Sequence, residues 1–136
     1  MATLPSGLPD HVGDDEDLAR FLTQSSQFNA LMAKPVAFLP SPKDRETSVS
    51  RHGIGSLEDL WKVGLDAAGD RNLHGAALFK AHAVRMAQLD VVPAEPPPCH
   101  AAIRRWPWVE DDPELQKAKQ KELAAVIASQ AKLIRR

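Results

Sequence analysis

The sequence is poor in cysteine, aromatic residues and net charge, and each shortage excludes a class of protein. Its 136 residues include one cysteine, Cys99, together with four Phe, three Trp and no Tyr. A lone cysteine excludes an internal disulfide framework and a multi-cysteine zinc site, and it is typical of a reducing compartment. Seventeen basic and eighteen acidic residues leave a formal charge of −1, which argues against a protein that binds nucleic acid over its whole surface.

Long apolar runs are also missing. No stretch approaches the roughly 18 consecutive apolar residues of a membrane span, and acidic residues fill the start of the chain where a secretory signal would be apolar. We therefore expect a cytoplasmic protein without membrane contact. The length favours one domain, with a flexible N-terminus at 1–13 and a single domain at 14–136.

Two segments combine helical spacing of apolar residues with a clear start signal. Ser56, with Asp59 three residues later, forms a capping box before the helix that we predict over 57–68. Asp112 at the N-cap, followed by proline, begins a long C-terminal amphipathic helix that we predict over 113–134.

Two further helices are predicted on weaker patterns. An acidic cluster favours the start of a helix over 15–31, because it lies at the positive end of the helix dipole. The segment 75–88 is rich in alanine, and its apolar run fits a strand as well as a helix. Periodicity alone does not decide between the two, and we choose the helix.

Three short segments have the composition of strands. They are 36–39, an apolar run between prolines, 46–52, which has a β-branched centre, and the brief run 90–92. The fold class is therefore α+β, with a small antiparallel sheet covered by three to four helices.

A rigid run leads to a cluster of arginine and tryptophan. Four prolines within 93–98 force an extended path, and the cluster follows at 104–108. Arg and Trp are over-represented at protein interfaces, and the last helix adds lysines. Two alternatives remain open: the tryptophans cover the core while the arginines reach outward, or the cluster stacks on nucleic acid. The predicted partner-binding residues are Arg104, Arg105, Trp106, Trp108, Lys117 and Lys121.

Charge is unevenly placed along the chain. Residues 1–20 hold five acids and one Arg, which gives −4, and residues 117–136 hold six bases and one acid, which gives +5. Either the two ends approach each other, or each satisfies its own helix dipole, or the basic end faces a partner.

No catalytic signature is present, since the sequence has no Gly-rich phosphate loop, no His-Glu-x-x-His, no Cys-x-x-Cys and no Gly-x-Ser-x-Gly. We expect no metal and no cofactor, and leave open whether the protein is an enzyme. The alternative to an interaction role is a small phosphate- or nucleotide-directed enzyme. In that enzyme His52 and His100 would act as acid and base, and Arg51 would hold the phosphate.

Five short phrases occur in a fixed order along the chain. They are 34–40 (KPVAFLP), 46–52 (ETSVSRH), 57–61 (LEDLW), 100–103 (HAAI) and 106–107 (WP). Together they resemble a family of short bacterial hypothetical proteins associated with prophage and mobile-element neighbourhoods. The resemblance covers about residues 17–134, brings no known reaction and assigns no residue a role. It implies a bacterial accessory or defence-related protein, and with the absent motifs it favours a non-enzymatic module that binds a protein partner.

Overall fold

The structure is a computed structural model that describes residues 2–52 and 55–136. Its centre is one antiparallel sheet of six strands. The strands are β1 (Asp17–Leu22), β2 (Thr47–Arg51), β3 (Gly75–Lys80), β4 (Asp90–Pro93), β5 (His100–Arg104) and β6 (Lys132–Arg135). Their order across the sheet is β4-β5-β2-β1-β3-β6, so β4 and β6 are the edges. The mixed α+β class is confirmed, with a larger sheet than expected.

Three α-helices accompany the sheet, and two of them begin at the predicted caps. The Ser56 side chain accepts a hydrogen bond from the Asp59 amide, and the Asp112 side chain accepts one from the Leu115 amide. Both caps satisfy backbone donors that the first helical turn leaves free. The helices are α1 (Leu57–Ala68), α2 (Ala81–Met86) and α3 (Pro113–Gln130).

The two faces of the sheet are covered differently. On one face α2, α3 and a 3-10 turn at Pro35–Phe38 enclose the main core, where Phe38, Ile103 and Ile127 are fully buried. On the other face α1 forms a second core over β1 and β3, through residues such as Leu60. A cleft beside α1 opens over β2 and β5.

The helix expected over 15–31 is wrong. The segment contains β1 and a 3-10 turn at Ser25–Gln27. Leu18 and Leu22 point into the main core, whereas Phe21 points into the second core. A central strand buried on both faces places apolar residues at spacings that also fit a helix.

Three other predictions differ from the structure. The strand expected over 36–39 is wrong, because the run forms a 3-10 turn at Pro35–Phe38 that begins on its proline and has Leu39 as its C-cap. The segment 75–88 is half strand and half helix, because β3 passes directly into α2. The last helix ends at Gln130 rather than 134, and the chain continues as β6 along β3.

The N-terminal segment that we expected to be flexible makes specific contacts. Val12 is 1% exposed and belongs to the main core, and the Ser6 hydroxyl donates to Glu95 at 2.5 Å. In the described ranges, no helix has the length and apolar character needed to cross a bilayer.

Candidate functional site

A cleft of about 410 Å³ lies on the sheet face beside α1. We call it the arginine cleft, because Arg20 of β1 and Arg71, just after α1, both line it. Ser48 and Ser50 of β2 and His100 of β5 form its floor and side.

The cleft exists because β1 and β2 separate. These strands pair only through Leu18 and Ala19 of β1, and beyond that point Arg20 lies where the ladder would continue. Its Nε donates to the carbonyl oxygen of Ala37 at 2.8 Å, and its Nη1 donates to that of Ser48 at 2.9 Å. The guanidinium thus bridges the gap, and its Nη2 has no acceptor among the described residues.

Arg71 is held by hydrogen bonds to the C-terminal end of α1. Its Nε donates to the Ala68 carbonyl at 3.1 Å and its Nη2 to the Ala67 carbonyl at 3.0 Å. These bonds satisfy carbonyls at the negative end of the helix dipole. Nη1 is left without an acceptor in the described part of the chain.

The arginine cleft carries positive charge without a counter-charge. No carboxylate of the described residues lines it, and neither arginine forms an ion pair with any of them. Burial lowers the pKa of Arg20, and the nearby Arg71 charge lowers it further. Two like charges therefore face one polar cavity.

One ring nitrogen of His100 contacts the backbone just after β4. Its Nδ1 lies 3.0 Å from the Ala94 carbonyl oxygen. Because a carbonyl can only accept, Nδ1 carries the proton, which leaves Nε2 for other partners.

The structure does not bring the three predicted catalytic residues together. Arg51 is 3% exposed. Its guanidinium forms a two-bond pair with Glu16 and donates to the carbonyl oxygens of Pro9 and His11. His52 lines a second cleft of about 440 Å³, whereas His100 lines the arginine cleft.

The predicted partner-binding residues divide into buried and exposed groups. Trp106 is 4% exposed within the main core, and its Nε1 donates to no described residue. Trp108 is half-buried, with the Arg45 guanidinium carbon 4.7 Å from its ring centre. Trp106 therefore covers the core, as one of the alternatives had it. The exposed members are Arg104, Arg105, Lys117 and Lys121.

The β4 edge of the sheet is blocked against further pairing. The Val91 amide donates to the Asp90 carboxylate at 2.8 Å, and the Val91 carbonyl lies 3.5 Å from the Arg85 Nη2 donor. The next residue whose nitrogen would point outward is Pro93, which has no N–H. An added strand would therefore find no free backbone N–H at Val91 or Pro93, and the Val91 carbonyl is covered by the Arg85 side chain.

The β6 edge is open. The Arg136 amide donates to the carbonyl oxygen of His74, the residue before β3, at 3.0 Å. The backbone of Arg136 therefore faces β3. Antiparallel bonding alternates, so the amides and carbonyls of Leu133 and Arg135 point away from β3. None of them bonds to a described residue.

Sequence reasoning missed the arginine cleft and the β6 edge. The one available signal was Arg20, a single cation inside the apolar run 18–22. Within 2–52 and 55–136, no group of three His, Cys, Asp or Glu side chains is placed to hold a metal ion. No protein-family model, curated protein or solved structure matches the chain.

Proposed function

We propose that the chain is a non-enzymatic interaction module that binds an extended, acidic segment of a protein partner along β6. The observation that carries this proposal is the contrast between the edges, since β4 is blocked by its own side chains and β6 is not. We extend the proposal to a bacterial accessory, mobile-element or defence-related system, on the resemblance of short sequence phrases alone.

Addition of a strand to a sheet edge gains affinity from main-chain hydrogen bonds and specificity from alternate side chains. Leu133 and Arg135 supply an outward amide and an outward carbonyl each. A partner strand of four residues would therefore bond all four groups.

The side chains of β6 define the partner's sequence pattern. Lys132 and Arg135 are exposed, whereas Leu133 and Ile134 are half-buried. Cross-strand neighbours favour opposite charges and matched apolar pairs. The fitting segment thus reads acidic, apolar, apolar, acidic. The exposed cations of the predicted partner-binding set, Arg104, Arg105, Lys117 and Lys121, add long-range attraction for an acidic partner.

The two alternative functions have less support. The enzyme alternative used Arg51, His52 and His100, which do not share one cleft. Nucleic-acid contact would use the same exposed cations, but the open ladder groups of β6 pair with protein backbone.

The test is hydrogen exchange by NMR with a synthetic peptide that contains Glu-Val-Val-Glu. We expect the amides of Leu133 and Arg135 to exchange quickly in the free protein and at least about tenfold more slowly with bound peptide, because pairing removes them from water. A Lys-Val-Val-Lys peptide should bind about tenfold more weakly, since its lysines carry the same charge as Lys132 and Arg135 and would repel them.

Two substitutions at one position separate backbone pairing from charge. Arg135→Ala and Arg135→Pro both remove the guanidinium, but only proline removes the outward amide. The proline variant should bind the acidic peptide more weakly than the alanine variant. Equal binding by both variants, or protection confined to amides outside β6, would refute strand addition.

A further inference from the structure

We propose that the arginine cleft binds a small organic phosphate. This site is separate from the β6 edge, because no β6 residue lines it, and it goes beyond the proposed partner role. The argument rests on the uncompensated charge, the fixed donors and the size of the cavity.

The charge of the cleft favours an anion. Arg20 and Arg71 line the same cavity, and no described carboxylate neutralises either of them. Placing two cations together without an acid is unfavourable unless a ligand supplies the opposite charge. A phosphate monoester carries about −1.5 to −2 at neutral pH, which matches two arginines.

The donors are already oriented. Arg20 is fixed between the 3-10 turn at Pro35–Phe38 and β2, and Arg71 is fixed against the end of α1, so the two guanidinium groups are held by different elements. Each has an Nη group without an acceptor in the described ranges. Ser48 and Ser50 also line the cleft, and their hydroxyls donate to no described residue. A tetrahedral phosphate accepts from several directions at once, as this arrangement needs.

The size and the apolar wall favour an organic ligand over free phosphate. The volume of about 410 Å³ falls in the range of about 300–1,000 Å³ that is usual for small-molecule pockets. Phe21 and Pro97 line the cleft as well, and they offer apolar surface to the body of the ligand.

The test is isothermal titration calorimetry with three probes: inorganic phosphate, adenosine monophosphate and adenosine. We expect the monophosphate to bind most tightly, because it alone satisfies both the arginines and the apolar wall. Arg71→Gln, which alters an exposed residue, should weaken that binding about tenfold to a hundredfold, as expected for the loss of a hydrogen bond to a charged group. Lys62→Gln is the matched control, since it removes an exposed charge from α1 outside the cleft.

Arg20→Lys provides an independent check, because it keeps the charge and loses the planar fork. It should also weaken binding of the monophosphate, in a chain whose folding is verified by circular dichroism. The proposal fails if the wild-type protein shows no saturable binding of the monophosphate, or if adenosine or inorganic phosphate binds as tightly. It also fails if Arg71→Gln and Lys62→Gln weaken binding equally.

Discussion

At the scale of single residues, four of the five N–H groups of the Arg51 guanidinium donate to oxygen atoms of its own chain. Glu16 supplies both carboxylate oxygens, and Pro9 and His11 supply backbone carbonyls. The side chain of Arg51 is 1% exposed and that of Glu16 is 22% exposed. A residue type suited to binding phosphate thus fastens the N-terminal segment to β2.

We predict that Glu16→Gln destabilises the protein strongly. The substitution leaves a buried cation without its counter-charge, which costs roughly 2–4 kcal/mol in the free energy of unfolding. Chemical denaturation measures the loss. Asp17→Asn is the matched control, since Asp17 forms an exposed pair with Lys80 and should cost under about 1 kcal/mol. Similar losses for the two variants would show that the Arg51 pair contributes no more than a surface pair.

At the scale of elements, local signals identified the helices whose start is determined by nearby residues. The capping box at Ser56 predicted α1 with its observed bounds 57–68, and Asp112 marked the start of α3. Capping is a contact between neighbours in sequence, so a single sequence contains the information.

Elements that depend on distant partners were not predictable in this way. The run 18–22 is a strand because β2 and β3 flank it on both sides. The end of α3 is likewise set by pairing of β6 with β3. The arginine cleft joins Arg20 and Arg71, which lie 51 positions apart in sequence and meet only once the sheet and α1 are packed.

The pairing of β6 depends on Gly75 of β3. A Cβ atom at this position would collide with the backbone carbonyl oxygen of Ile134. We predict that Gly75→Ala separates β6 from β3 and lowers the free energy of unfolding by about 1–3 kcal/mol, the usual cost of overpacking. Hydrogen exchange should show faster exchange of the Ile134 amide, while the central strands keep their protection.

Gly13→Ala is the control, because a Cβ there meets nothing within 4 Å. It should leave both stability and exchange nearly unchanged. Unaltered protection of Ile134 in Gly75→Ala would show that β3 and β6 tolerate the side chain at this crossing.

At the scale of the whole molecule, the near-zero net charge is the sum of acids and bases that lie in different parts of the chain and differ in whether they form ion pairs. The acids of the first segment, Asp14, Glu16 and Asp17, pair with cations in the middle of the chain. The cations beyond residue 103 form no ion pair with any described residue. The acids of this segment therefore form ion pairs within the fold, whereas the cations of α3 and β6 have no carboxylate partner among the described residues.

We expect Lys132 and Arg136 to hinder pairing of the open β6 edge with a second copy of the chain. Two β6 strands pairing antiparallel about Ile134 would place Lys132 opposite Arg136 of the other copy, at both ends. Like charges opposite each other destabilise strand pairs, and lysine on an edge strand is a common protection against aggregation. We therefore expect the wild-type protein to be a monomer.

Reversing one of these charges should change the assembly. Lys132→Glu replaces two repulsions in that pairing by two attractions, and each is worth up to about 1 kcal/mol. We expect dimerisation that is at least about tenfold stronger than in the wild type, visible by sedimentation velocity as the protein concentration rises. Lys119→Glu makes the same charge change on the exposed surface of α3 and should leave the monomer intact. If both variants dimerise equally, or the wild type already forms the dimer, Lys132 and Arg136 do not prevent pairing of the β6 edges.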